Sequence, residues 1–344
     1  MSIIIAVIIF SLIVLFHELG HFLLAKKNGI TVVEFSLGMG PKIFSFEKGG
    51  TVYAIKIFPF GGSCMMLGED EGNTEPGSFG SASVWARIAV IVAGPAFNFV
   101  LAFLLSLVIV GSIGYDKPMI LSVSEGYPAA EAGLQAGDIV KEINGTGIVV
   151  SREITNYVTF NQKEDVEMTV ERDGEEITVS MTPMDDGSGR YIFGIGCNSN
   201  YREKCGILDT LKYSAYEVKY WIQLTIESLK MMFKGQVTIN DMSGPVGVVS
   251  YIGETYEVSQ ASGGFYLLLN MLNISILLTA NLGVMNLLPI PALDGGRLLF
   301  LIVEAIRGKR VDPDKEGMVH FAGFVLLMLL MVVVLFNDVR KIFF

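Results

Sequence analysis

Histidine, cysteine and tryptophan are scarce in this chain, at three, three and two among 344 residues. Cys64, Cys197 and Cys205 show no metal-ligand spacing, which excludes a cysteine-built metal site. Cys197 and Cys205 either pair as a disulfide, if their segment lies outside the cytoplasm, or stand as free thiols. Charge is also sparse: 17% of residues are charged and the net charge is −10, so nucleic acid is excluded as a partner. The first 25 residues lack a basic n-region and a small-residue cleavage site, so they do not read as a removable signal peptide. What the chain has in excess is apolar surface. Hydrophobic residues make up 51% and the mean hydropathy is +0.52. That composition describes a polytopic membrane protein with a soluble insert, not a cytosolic globule.

Two of the three histidines fall in one stretch, His17-Glu18-Leu19-Gly20-His21, inside the first apolar run. On a helix, positions i and i+4 share a face, so both imidazoles can reach one metal ion from the same side. Glu18 sits about 100° round the helix from His17, close enough to act on a water at that ion without being a ligand. This is the HExxH pattern of zinc hydrolases, where the ion acidifies a water and the glutamate takes its proton. Residues 2–16 carry no charge, and ionisable groups within a span are costly and functional by default.

In chain order, the first span covers about residues 2–25, and Lys26 and Lys27 place its end in the cytoplasm by the positive-inside rule. Residues 31–67 alternate with a period of two around a Gly49-Gly50 turn, which predicts a β-hairpin or small sheet dipping into the membrane. A strand edge there can pair with an extended substrate. Residues 68–80 read as an acidic, exposed loop. A second span follows over 84–113, with Trp85 and Arg87 as interfacial anchors and Ala93-Gly94-Pro95-Ala96-Phe97-Asn98 inside it. Asn98 either faces the metal site or makes an interhelical hydrogen bond.

Residues 115–262 form the insert, outside the cytoplasm by topology. Tyr127 to Gly145 carries the short helix, Gly-Asp turn and strand of a PDZ signature, and Val166–Val170 and Glu175–Met181 alternate as strands. From Ile207 to Phe233 the apolar residues Leu208, Leu211, Ala215, Val218, Ile222 and Leu229 predict an amphipathic helix that packs on that domain or, as the alternative, lies on the membrane surface. Ser243-Gly244-Pro245-Val246-Gly247 reads as a turn. A third span covers about 265–288 and breaks at Pro289 and Pro291, tolerable in a membrane only where the freed backbone is shielded or lines a cavity. Asp294 follows the break. Arg307, Lys309, Arg310 and Lys315 return the chain to the cytoplasm, so Asp294 lies at a depth comparable to His17 and His21. It is the candidate third ligand, with helix capping as the alternative. A fourth span covers about 319–336, with His320 at the interface.

His-Glu-Leu-Gly-His at 17–21, Ala-Gly-Pro-Ala-Phe-Asn at 93–98, the PDZ insert, Ser-Gly-Pro-Val-Gly at 243–247 and Asn-Leu-Leu-Pro-Ile-Pro-Ala-Leu-Asp-Gly-Gly-Arg at 286–297 resemble the bacterial RseP-type site-2 proteases. The resemblance implies one catalytic zinc ion held by His17, His21 and Asp294, with Glu18 as general base. It implies four spans with both termini and the PDZ domain outside a bacterial inner membrane, and an active site toward the cytoplasm. Membrane-associated β-structure at 31–67, including Gly38 and Gly40, would guide substrate. Asn286, Pro289, Pro291 and Asn98 would help hold it. The implied substrates are single-pass membrane proteins, such as anti-sigma factors or signal-peptide remnants, trimmed outside by a site-1 type protease. The PDZ domain would filter by size or take peptide ends. One PDZ signature stands here where the best-known Gram-negative members have two, and Phe58 to Met65 departs from the usual Gly-Gly-Tyr pattern.

The expected organisation is therefore a helical membrane core over 1–114 and 263–344, a PDZ domain of α+β class over 115–200, and a helical connector over 201–262. A membrane-anchored PDZ adaptor with a non-catalytic metal site is the alternative function.

Overall fold

The computed structural model of the chain describes residues 2–69, 75–161, 164–187, 190–197, 201–238 and 242–343, so part of the acidic loop, 70–74, lies outside the described residues. The chain forms two units, Met1–Leu105 with Lys234–Phe344, and Ser106–Phe233. Among the described residues four helices are long and apolar enough to cross a membrane: Ile3–Lys27, Val84–Ile113, Gly264–Leu287 and Pro313–Lys341.

Helix α1 (Ser2–Lys27) is apolar on every side, as a span must be. Ile3, Ile4 and Ile8 stay exposed, while Ala6, Ile9, Ile13, His17, His21 and Ala25 form one buried stripe at helical spacing. Strands β1 (Val32–Lys48) and β2 (Thr51–Met66) are antiparallel, but they make more than a plain hairpin. Glu34 to Leu37 pair with Met65 to Gly62 on one side and with Val52 to Ile55 on the other. Both long strands must therefore bend back, and Gly38, Gly40 and Gly61 do so at φ of +88°, +88° and +80°. Lys42 and Lys56 clamp the buried Glu34 carboxylate, each at 2.7 Å.

Helix α2 (Val84–Ile113) follows a single 3-10 turn at Phe79–Ser81. Trp85 is exposed, but Arg87 is no interfacial anchor. It is buried, and its guanidinium pairs with both Glu304 oxygens (3.1 and 2.5 Å), so a charge expected at the surface locks two helices together instead.

The second unit begins in the last turns of α2 and continues through β3 (Tyr115–Asp116), β4 (Ser122–Val123), α3 (Pro128–Glu131), β5 (Ile139–Ile143), β6 (Thr146–Gly147) and α4 (Ser151–Phe160). Strands β7 (Val166–Arg172) and β8 (Glu175–Met181) are joined through Asp173 (φ +54°) and Gly174 (φ +86°), as a two-residue hairpin turn requires. The sheet order is β6-β5-β7-β8. Short pairs complete the unit: β9 (Met184–Asp185) with β10 (Tyr191–Ile192), β11 (Ile195–Gly196) with β4, and β12 (Arg202–Glu203) with β3. Ile120, Val140, Ile143, Ile154, Met168, Val170 and Phe193 fill its core. Asp138 is buried beneath the sheet and takes two hydrogen bonds from Arg172, each 2.7 Å, and one from the Gln135 amide. Cys197 and Cys205 are free thiols.

Helix α5 spans Ile207–Phe233, but it buries another stripe than its apolar spacing predicts. Ser214, Glu217, Val218, Tyr220, Trp221 and Thr225 face inward, whereas Leu208 and Leu211 are exposed. The reason is electrostatic: Arg152 of α4 meets Glu217 at 2.6 and 2.5 Å and lies over the Tyr220 ring, so a carboxylate becomes the centre of the packed face.

In the first unit, Ser243–Gly247 is not a turn but the start of helix α6 (Pro245–Gln260), with Pro245 in its first turn. The buried Asp338 carboxylate accepts from the Gly244 and Gly247 amides at 3.0 and 2.8 Å, giving this helix start its acceptor. Helix α6 packs with α1, α2 and α7 (Gly264–Leu287) around Ile13, Leu101, Ile252 and Ile274. The chain breaks at Leu288–Leu293 and resumes as α8 (Asp294–Arg307), and α9 (Pro313–Phe343) completes the fold.

Candidate active site

The buried stripe of α1 carries His17 and His21 inward, and the start of α8 brings Asp294 to them. The two Nε2 atoms are 3.2 Å apart, and Asp294 Oδ2 stands 3.2 Å from His17 and 3.4 Å from His21. The second ring nitrogens are committed elsewhere. His21 Nδ1 donates to the Val90 carbonyl at 2.9 Å, which leaves its Nε2 lone pair facing the cluster. The Asn98 amide lies 3.1 Å from His17 Nδ1. That distance is to Nδ2, and Oδ1 is left buried without a partner; the amide turned by 180° puts Oδ1 on the ring, where it accepts from Nδ1–H and frees the second Nε2 lone pair in the same way.

Three acceptor atoms thus face one another, and Asp294 Oδ2 is buried without a hydrogen-bond donor. Such a group is stable only around a cation. Ligands about 2.0–2.1 Å from a tetrahedral zinc stand about 3.3–3.4 Å apart, the spacing seen here. The residues present therefore fit zinc, with a fourth position left over. Asp294 makes no side-chain cap for α8, so the capping alternative is not what the carboxylate does.

Glu18 borders this cluster on the same helix. The Cys64 backbone of β2 lies beside its carboxylate. A Cβ at Gly62 would lie 3.2 Å from Glu18 Cγ and 2.9 Å from Val14, so β2 runs directly over this turn of α1. Two more glycines make the site. Gly20 lets α1 approach the Ala93 carbonyl of α2, where a Cβ would come within 2.2 Å. Gly94 does the same for the imidazoles: a Cβ there would meet His21 Nε2 at 2.2 Å and His17 Cε1 at 2.8 Å.

The α7–α8 break positions Asp294. Gly295 and Gly296 sit against the carbonyls of Leu288 and Ile290, and Ala292 holds φ +77°. The Ala292 N–H donates to His320 Nδ1 of α9 at 2.9 Å, and Pro291 packs on Gly323 of the same helix. His320 is thus part of the support of this break.

Of the other residues expected at the site, Asn98 is fully buried on His17, and its carbonyl accepts from Thr279 at 3.2 Å. Asn286 is half-buried in the last turn of α7, and Pro289 and Pro291 lie in the break. Gly38 and Gly40 form the bend of β1 against Phe58. These last five stand outside the three-donor cluster. The sequence marks Gly94, through Ala-Gly-Pro, as a point of close helix approach, while the Cys64 backbone and the support given by His320 carry no mark in it.

Residues 5–330 match the family model of peptidase family M50. The chain belongs to that family. Zinc metalloprotease RasP of Geobacillus kaustophilus is 35% identical over 99% of this chain and 98% of its own length. The regulator of sigma-W protease RasP of Bacillus subtilis is 33% identical over 98% of each. A PDZ domain of an SdrC-like protein from Listeria monocytogenes is 26% identical over 24% of this chain and 86% of that chain, with a TM-score of 0.22. As a member of family M50 the chain is a zinc metalloprotease of the site-2 type and an integral membrane protein.

Proposed function

We propose that this M50 peptidase cleaves single-pass membrane proteins within their spans, with His17, His21 and Asp294 holding one zinc ion and Glu18 as general base. The convergence of the three donor atoms to 3.2–3.4 Å, with Glu18 one residue away, carries this reading. Bound zinc supplies Lewis acidity toward water and a peptide carbonyl. Glu18 takes the proton from the attacking water and returns it to the leaving amine nitrogen. Asn98 and the Val90 carbonyl keep both imidazoles in the ligating tautomer.

A helical peptide bond is shielded by its own backbone, so the substrate must be extended before attack. The segment Gly62–Met66 pairs with β1 on one edge, and its Cys64 backbone lies beside Glu18 on the other. An unwound substrate strand added there lies beside the catalytic glutamate. Gly38, Gly40, Asn286, Pro289 and Pro291 are assigned to guiding that strand.

Lys26, Lys27, Arg307, Lys309, Arg310 and Lys315 put this end of the helices in the cytoplasm, with both termini and the PDZ-type insert outside a bacterial inner membrane. The name of the Bacillus relative supports an anti-sigma factor as substrate; its prior shortening by a site-1 type protease is part of the same proposal. A groove of about 600 Å3 between α4 and residues 191–197 suits the new peptide end.

The test compares wild type with Glu18→Gln, matched for zinc content, on a single-pass substrate. Cleavage within the span should fall about a hundred- to ten-thousand-fold with zinc retained. Equal rates would remove Glu18 from the mechanism.

A further inference from the structure

Within the second unit, β12 runs antiparallel to β3, pairing Glu203 with Tyr115 and Arg202 with Asp116. The chain therefore descends toward the end of α2 as it passes from Arg202 to Cys205. Helix α5 then climbs back. Thr210 packs beside Gly111, Tyr213 stacks on Tyr115 at 3.6 Å, and Glu217 shares Arg152 with Asp116. The two registers agree in placing the turn between β12 and α5 beside the last turn of α2.

The depth of that point follows from α2. Trp85, exposed at the opposite end of the helix, marks one membrane interface. From Trp85 to Ile113 the helix rises about 42 Å, and a bilayer with its headgroups measures about 40–45 Å. Gly111 and its neighbour Thr210 are thus at headgroup level. Ile207 and Leu208 lie one turn nearer the acyl chains.

These two side chains are 84% and 81% exposed, more than any apolar side chain of α1 or α2. Above them stand the half-buried Tyr213 and Tyr216 with Lys117, Lys204 and Lys212, the amphipathic and basic belt of an interface. We propose that the turn Cys205–Leu208 is a membrane-insertion tip: Ile207 and Leu208 enter the acyl-chain boundary, and the tyrosines and lysines above them meet lipid headgroups. The insert then has a second hold on the bilayer besides α2, which fixes its tilt. This rests on α2 crossing the membrane and not on the catalytic assignment.

The test uses the full-length protein reconstituted in phosphatidylcholine vesicles, with Leu208→Trp and, separately, Ile207→Trp. Both sites are exposed, so neither substitution disturbs packing. The added fluorescence over wild type should be quenched by acyl-chain-brominated lipid to the level of a Val108→Trp control on the lipid-facing side of α2, and be shielded from iodide. A Glu175→Trp control in the exposed β7–β8 turn should respond to iodide alone. Stronger quenching of the 208 and 207 positions by iodide than by brominated lipid overturns the proposal.

Discussion

Gly94 of α2 stands flush against the imidazole of His21, with room for a hydrogen and no room for a methyl group. Helix backbone cannot yield as a flexible side chain can, so the imidazole must move. Gly94→Ala is expected to lower zinc content at least tenfold and abolish cleavage, while thermal unfolding of the metal-free protein barely shifts. Metal analysis beside a melting curve checks this.

Asn98 orients His17 through a ring nitrogen. Removing such a partner costs roughly 10–100-fold in metal affinity. Asn98→Leu should show that loss in a chelator competition, and Asn98→Asp, which still offers an acceptor to Nδ1–H, should restore most of it. Equal losses in both variants would assign Asn98 to packing alone.

His320 accepts the Ala292 N–H two residues before Asp294. His320→Phe removes the acceptor and leaves the Ala292 amide without its side-chain partner, which loosens the break. Cleavage is expected to fall about tenfold or more, by analogy with other residues that support metal ligands. His320→Asn places an oxygen near the position of Nδ1 and should retain most of the rate. The comparison of the two rates on one substrate is the measurement.

In the insert, burial raises the Asp138 carboxyl, but the paired Arg172 and the Gln135 amide outweigh it and hold the group below its ordinary value. A group depressed in the fold stabilises the fold above its unfolded value of about 3.9, and this is lost as pH falls through the folded value. Arg172→Leu leaves the Asp138 carboxylate without its cation and should lower stability at neutral pH. The gap between the two proteins should be constant where Asp138 is ionised in both folds, and shrink as acidification protonates first the unpaired carboxyl of the variant and then the depressed one of the wild type. Hydrogen exchange of the β5 and β7 amides across pH reads this directly.

The zinc-site spacing was legible because helical period and membrane depth are one-dimensional facts: His17 and His21 are four apart, and Asp294 follows a break at matching depth. The hairpin at 173–174 was legible from Asp-Gly. What stayed hidden depended on partners distant in sequence. Arg87 reads as an anchor until Glu304 is beside it. Glu217 reads as solvated until Arg152 neutralises it, and with it the inward face of α5 changes. Gly94 reads as a point of close helix approach, but that the approaching group is a pair of imidazoles depends on α1 and not on its own motif. Ser-Gly-Pro-Val-Gly reads as a turn because the carboxylate that makes it a helix start is 91 residues on from Gly247.

That last contact has a consequence for biogenesis. Asp338 holds the amides of Gly244 and Gly247, and Lys341 holds the Met242 carbonyl, so α6 is seated by the final turns of α9. A nascent chain halted after Asp294 already contains both histidines, the glutamate and the aspartate. It still lacks the carboxylate that seats α6, so assembly of the membrane unit finishes only when translation has passed Asp338.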